Sequence, residues 1–404
     1  MTTETLHLGV VGLGRGFSVM IPTFALHPKV TLAAACDPRQ EALERFSQDF
    51  GGTSYSNFSE MCADDRLDAI YVCSPHQFHE EHVVAAAKAG KHILVEKPMA
   101  LNIDSCSRMI EAAHAAGVHL IVGHSHSFDA PILEARRIIE SGSLGAPKMI
   151  SALNCTDFIY RPRRPEELDT SKGGGVIFSQ GAHQIDITRL IAGGMATSVY
   201  ACTGNWDETR PTEGAYSALV RFENDLFANL TYNGYGGFDS DLFTNWIGEM
   251  GRKKDPDNYG TARKTLASLS GPKAEEKLKA ARAYGGPEGT ELPESRFMEK
   301  KTHEHFGMFL ISCENGDLRP LPDRIEIYAG VRETIKLPPP KFPRAEVIEE
   351  LHGAIFEDKA PLHTGEWGRA TLEVCLAIIE SARTKEEITL SHQVALSLDR
   401  AEKS

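Results

Sequence analysis

Residues 6–17, LHLGVVGLGRGF, decide the fold. Leu6 to Val11 is an apolar run without a polar face, which reads as a strand covered on both sides, and the glycines after it turn the chain into a helix. Gly12 permits the tight turn. Gly14 lets backbone N–H groups approach a pyrophosphate at the start of that helix, with Arg15, Gly16 and Phe17 completing the candidate phosphate turn. The third glycine of a GxGxxG fingerprint falls on Phe17, so the turn alone also fits a merely structural glycine loop. Its support is Asp37, at the end of the next apolar run, where a carboxylate accepts from both ribose hydroxyls of NAD. The same charge disfavours the extra phosphate of NADP, while Arg39 keeps NADP open because it could pair with that phosphate.

Outward from this turn, apolar runs at Leu6–Val11, Val30–Cys36, 69–73, 93–95 and Leu120–Val122 alternate with helical patterns at Gln40–Phe50, 77–89 and Ile103–Ala116. This predicts an α/β domain over residues 1–124, a parallel sheet with helices on both faces. Ligands of such sheets bind beyond the carboxyl ends of the strands, which makes 12–17, Asp37, 74–79, 96–98 and 123–126 the candidate stretches. After residue 147 longer β-type segments follow with few helices between them, at 148–153, 199–203, 216–222, 227–232, 308–312 and 325–328. They predict a second domain, 125–404, built on an antiparallel sheet and closed by helices at Ala345–Phe356 and 367–382. The polar, Lys/Arg-rich stretch 251–301 reads as a surface insertion, with a lid or subunit-contact arm as the functional alternative.

The 404 residues suffice for two cores. A composition of 41% hydrophobic and 25% charged residues is that of a soluble globular protein. The net charge of -13 speaks against a nucleic-acid partner, so an anionic substrate needs a local cluster of cations. No apolar run is long enough to cross a bilayer, and MTTETLHLGVVG has no basic signal region; the expectation is a cytoplasmic protein. Eight scattered cysteines without a CxxC pair read as free thiols, most of them buried.

Residues 92–100, HILVEKPMA, put Glu96, Lys97 and Pro98 at the mouth of an apolar strand, in the same crevice as the glycine turn. A lysine in a partly dry cleft beside a positively charged nicotinamide has a lowered pKa, which suits proton transfer, and a cis proline could hold it there; a surface lysine at a strand end is the bland alternative. Ser74, Pro75, His76 and His79 lie at another strand end and fit either a cofactor contact or a capped helix start. His124-x-His126 could face a metal, but no matching carboxylate or cysteine pattern accompanies it, and no metal is assigned. In GGGVIFSQGAHQIDITRL, 173–190, a helical run puts Ser179, His183 and Ile187 on one face at i, i+4 spacing with Asp186 nearby, and His183 could act as general acid or base.

Together these motifs resemble the Gfo/Idh/MocA family of NAD(P)-dependent oxidoreductases: AGKHILVEKPMA, SPHQFH and GGGVIFSQGAHQID, with SGSLGAPKMI and EWGRATLEVCLAIIESA extending the likeness over most of the chain. The resemblance implies a Rossmann domain and an α/β domain with a large, mostly antiparallel open sheet, homo-oligomers through that sheet, and Lys97 with His183 as the catalytic pair. Many members carry an aspartate where Ser179 stands here. Within the family, VGLGRGF, ACDPR and SPHQFH are similar to the phthalate cis-4,5-dihydrodiol dehydrogenases, which implies oxidation of a cis-4,5-dihydrodiol of phthalate, an anionic cyclic diol, to 4,5-dihydroxyphthalate with reduction of NAD in aromatic degradation. Arg161, Arg163 and Arg164 in YRPRRPEE, together with His126, Ser179 and His183, are the corresponding substrate candidates; a basic surface loop offset by Glu166 and Glu167 is the other reading of the arginines. The alternatives are a sugar, polyol or inositol dehydrogenase of the same family, and a non-catalytic NAD(P)-binding regulatory protein.

Overall fold

The computed structural model describes residues 4–258, 260–289 and 302–396. Residue 259 and residues 290–301 of the polar stretch lie outside the described residues.

The first sheet is parallel and six-stranded: β1 (Leu6–Val11), β2 (Val30–Cys36), β3 (Thr53–Tyr55), β4 (Ala69–Val72), β5 (His92–Val95) and β6 (Leu120–Val122), in the order β3-β2-β1-β4-β5-β6. Its helices are α1 (Arg15–Leu26), α2 (Gln40–Phe50), α3 (Phe58–Cys62), α4 (His79–Lys88) and α5 (Ile103–Ala116). Strands β4 and β6 are buried at every residue, which is why their sequences are uninterrupted apolar runs. The strand order reverses between β1 and β4, so the crevice opens where Gly12, Ser74 and Glu96 stand. Strand β3 escapes a sequence reading because it is a three-residue edge strand with no buried residue.

After α6 (Ala130–Glu140) the chain builds a nine-stranded sheet from β7 (Pro147–Cys155), β8 (Ala196–Gly204), β9 (Ala215–Phe222), β10 (Phe227–Asn233), β11 (Met308–Cys313), β12 (Gly316–Leu321), β13 (Arg324–Tyr328), β14 (Arg332–Lys336) and β15 (Ile388–Thr389). The order is β14-β13-β12-β11-β7-β10-β9-β8-β15, antiparallel except that β7 and β10 run parallel from Phe227↔Met149 to Asn233↔Cys155. Helix α7 (Ala182–Ala192) lies between β7 and β8 in sequence, and ten of its eleven residues are buried. The helical run expected through 176–190 changes register at a π-turn over Ile177–Gly181, directly before α7.

The polar stretch carries α8 (Thr261–Ala267) and α9 (Pro272–Ala281), and it is tied down where a surface excursion was expected. Glu275 accepts from Arg210 through both oxygens at 3.0 Å and from the Arg163 amide at 2.9 Å, in a buried pair. Near the end of the chain α10 (Ala345–Phe356) returns to the first sheet, where Val347, Ile348 and Leu351 join the core of Leu6, Leu8 and Phe17. Helix α11 (Gly365–Thr384) packs against β8, α5 and α7. The cysteines are free thiols, five of them buried and Cys202 exposed. No helix among the described residues is long and apolar enough to cross a membrane.

Candidate active site

The glycine turn separates into three roles. Gly12 has φ +91°, and a Cβ there would meet the Ser74 backbone at 2.7 Å, so only glycine joins β1 to the end of β4. Gly14 caps α1, and a Cβ there would meet nothing within 4 Å; this is the open face at the helix N-terminus. Gly16 lies against Glu96, whose Oε1 would be 3.1 Å from an added Cβ. Gly16 therefore makes the close approach that the fingerprint assigns to its third glycine, one position early. Phe17 was expected at the cofactor, but its ring is fully buried among Phe24, Phe46, Phe50 and Tyr284, an apolar side chain drawn into the core. Arg15 stays exposed in the first turn of α1.

Asp37 is buried at the end of β2 and accepts from the Leu13 amide at 2.7 Å and the Arg39 amide at 2.9 Å. The Arg39 side chain covers it through Nε at 3.0 Å and Nη2 at 3.2 Å.

At the end of β4 the histidines turn inward. His79 is fully buried, with its two ring nitrogens on the carbonyl oxygens of Ser74 (2.8 Å) and Met99 (3.2 Å), so it pins the β4 and β5 ends together rather than facing a ligand. Burial pushes it down to about 4, so the ring is neutral and carries a single N–H between these two oxygens. Ser74 Oγ pairs with His82, Pro75 opens a short 3-10 turn, and burial lowers His76 to about 3. Glu96 accepts from Tyr71 Oη at 2.5 Å, which draws its carboxylate beneath the turn, and burial raises its pKa.

Lys97 and His183 do come together. Lys97 precedes a cis proline, and its Nζ donates to the Ser179 carbonyl oxygen at 2.5 Å. Burial lowers Lys97 to about 8, with Glu96 and Glu249 opposing. His183 is held well below the ordinary histidine value by burial, then by Lys97 and His126, and is a neutral imidazole. Its ring packs on His126 with centroids 4.8 Å apart and on Phe306 at 5.1 Å, and Nδ1 lies 3.4 Å from Ser125 Oγ. The Ser179 hydroxyl turns back to the Gly175 carbonyl, so the main chain of Ser179 contributes here. Asp186 does not serve His183; it accepts from Ser127, from Trp367 Nε1 at 2.5 Å and from Thr371 at 3.0 Å.

His126 sits between two carboxylates, with Nδ1 2.7 Å from Asp129 and Nε2 3.6 Å from Glu249. Burial pulls its pKa down, but these partners more than offset it and raise it to about 9. Glu249 and Phe306 were not singled out in the sequence, nor was Arg344, whose guanidinium grips Glu304 at 2.9–3.2 Å. The clue lay in two similar runs, HSHSFD (124–129) and HEHFG (303–307), whose residues meet here. His124, Asp129 and Glu304 bring potential ligand atoms within 4.8 Å of one another, with Arg344 already paired to Glu304.

The arginine run divides. Of the three, Arg161 approaches the His126 partner Glu249, its Nη2 4.0 Å away. Arg163 and Arg164, expected at the substrate, are engaged elsewhere. The Arg163 guanidinium lies 3.8 Å from the centre of the Phe158 ring and donates to the Phe158 carbonyl, and Arg164 pairs with Glu166 and Glu167 in the turn that follows.

Comparison with known proteins agrees with this architecture. Residues 6–124 match the oxidoreductase family with an NAD-binding Rossmann fold, GFO_IDH_MocA, and residues 132–252 match the GFO/IDH/MocA C-terminal domain. The chain is 42% identical over 381 residues to 1-carboxy-3-chloro-3,4-dihydroxycyclohexa-1,5-diene dehydrogenase of Comamonas testosteroni, covering 94% of this chain and 95% of that protein. Myo-inositol 2-dehydrogenase of Thermotoga maritima is 31% identical over 48% of this chain and 58% of its own length. A dehydrogenase-type crystal structure from Bordetella bronchiseptica superposes with a TM-score of 0.89 at 41% identity, covering 96% of this chain and all of that one. The likeness runs along nearly the whole length, and the chain belongs to the Gfo/Idh/MocA family of NAD(P)-dependent oxidoreductases.

Proposed function

We propose that the chain is an NAD-dependent dehydrogenase that oxidises the cis-dihydrodiol of an aromatic carboxylate. The observation that carries this reading is the pairing of Lys97, brought by burial to about 8, with the neutral imidazole of His183 on the cofactor crevice. Similarity over almost the full length to the Comamonas diol dehydrogenase supports the substrate class. The residues fit a dinucleotide: Gly14 leaves open space at the N-terminus of α1, and Asp37 stands at the end of the neighbouring strand. Bound NAD supplies the hydride acceptor.

Neutral Lys97 takes the proton of one ring hydroxyl as the hydrogen on the same carbon departs with its electron pair, so an O–H and a C–H bond break and a C=O bond forms. His183 offers a neutral hydrogen-bonding nitrogen beside it. The hydroxydienone that results shifts its remaining ring hydrogen as a proton to oxygen and becomes a catechol, and the gain of aromaticity favours the oxidative direction. The Phe306 ring, in contact with His183 and His126, provides an apolar surface for the substrate ring. Arg161 anchors the ring carboxylate. With Arg163 held on Phe158 and Arg164 on Glu166 and Glu167, a monocarboxylate diol suits the remaining Arg161 better than the phthalate diol that the family resemblance implies.

The test supplies NAD with cis-dihydrodiols of a benzoate and of phthalate, and with myo-inositol, and follows NADH absorbance. Turnover of the benzoate diol above the others is the expected result. Turnover of inositol alone would sink the substrate and keep the family. NADH binding without turnover of any of them would favour a regulatory protein.

A further inference from the structure

The polar stretch after residue 250 reaches the ribose end of the dinucleotide crevice. Tyr284, just beyond α9, is fully buried in the core of the first sheet, its ring 5.0 Å from Phe17, and its hydroxyl donates to Asp49 of α2 at 2.7 Å. Gly285 follows with φ +78°, and its backbone passes so close to α2 that an added Cβ would lie 2.6 Å from the Ala42 Cα. The Tyr284 carbonyl oxygen accepts from Arg39 Nη1 at 3.1 Å, and the Leu13 carbonyl oxygen accepts from Arg39 Nη2 at 2.8 Å.

We infer that this arm is a cofactor-specificity device: Tyr284 seats it on the NAD-binding domain, and its carbonyl keeps the Arg39 guanidinium tethered, so that the site takes NAD and refuses NADP. Asp37 accepts four hydrogen bonds, two from amides and two from the Arg39 side chain. The ribose hydroxyls of NAD replace the two side-chain donors. The amides stay, and Arg39 stays on the carbonyls of Leu13 and Tyr284.

A 2′-phosphate asks for more. It brings a charge of about −1.5 to −2 against Asp37 and needs a cation turned toward it. Arg39 is the guanidinium bonded to Asp37, and to serve a phosphate it must leave Asp37 and both carbonyls together. The Tyr284 carbonyl cannot follow it outward, because the ring, the Asp49 bond and the Gly285 contact hold that backbone in place. Asp37 supplies the repulsion common to such sites; the arm removes the cation that would otherwise relieve it.

The experiment measures Kd for NADH and NADPH by nicotinamide fluorescence in the full-length protein, in Tyr284→Ala, and in Gly285→Ala, which displaces the arm without emptying the core. Brief trypsin digestion at Lys277 and Lys279 reports whether the arm is released. Arm release should lower the NADPH-to-NADH Kd ratio by about tenfold, chiefly through tighter NADPH binding. Tyr284→Phe, which keeps the ring, should shift the ratio less. A ratio within about twofold of the parent in either folded variant with a released arm overturns the inference. A merely structural arm would weaken both nucleotides together.

Discussion

Lys97 Nζ, at the end of β5, donates to the main-chain oxygen of Ser179 at 2.5 Å across 82 residues of sequence, joining the first sheet to the π-turn before α7. The acceptor is a carbonyl, so the ammonium is oriented without a carboxylate. An aspartate side chain at position 179 is not needed for that orientation.

Lys97→Ala should therefore lower kcat by about 10²–10⁴ while leaving NADH binding nearly unchanged. Ser179→Ala keeps the carbonyl and loses only the hydroxyl bond to Gly175, so kcat should stay within about threefold. Steady-state kinetics and NADH fluorescence titration of both variants check this. Equal damage from the two would contradict the main-chain anchor.

The pH dependence follows from the same lysine. Its pKa is lowered by burial from 10.5 to about 8, and the neutral amine is the base, so kcat/KM should rise as pH increases through about 8. Glu249 is among the groups that raise it, so Glu249→Gln should move the rise to lower pH. A profile flat from neutral pH upward would remove Lys97 from this role.

His126 makes the protein's stability depend on pH. Its folded pKa, about 9, lies above the ordinary 6.5, so its contribution is fully present below the ordinary value and is lost as pH rises through about 9. Urea midpoints should fall over that window, and Asp129→Asn should flatten the fall. Asp129→Ala leaves a buried charge without its nearest partner and should cost about 3–5 kcal/mol at neutral pH.

Gly14 and Gly16 should separate binding from folding. Gly14→Ala puts a methyl into the open face of the turn and should weaken NADH binding about tenfold or more with the melting temperature unchanged. Gly16→Ala presses on Glu96 at 3.1 Å and should lower the melting temperature as well. Scanning calorimetry beside fluorescence titration distinguishes them.

The β-α alternation, the strand ends and the glycine turn were legible because each is written in a few consecutive residues. Strands β12 and β14, GDLRPL and RETIK, were not, since their mixed polar sequences are strands only by pairing with β11 and β13. The YRPRRPEE run shows the same limit in the site: three arginines look alike in sequence, yet Phe158, Glu166 and Glu167 claim two of them. The buried role of His79 was also hidden, because its partners are main-chain oxygens that no residue type advertises.

By itself the sequence determined a parallel dinucleotide-binding sheet, a lysine at its crevice and a second, largely antiparallel sheet, all features set by local periodicity and by residues with special backbone needs. Only the tertiary structure decided that Lys97 is held by a main-chain carbonyl, that His126 lies between Asp129 and Glu249, and that Tyr284 reaches Arg39 across 245 residues. Those contacts depend on which distant side chains share a dry interior, where burial and charge pairing are settled jointly by the whole fold.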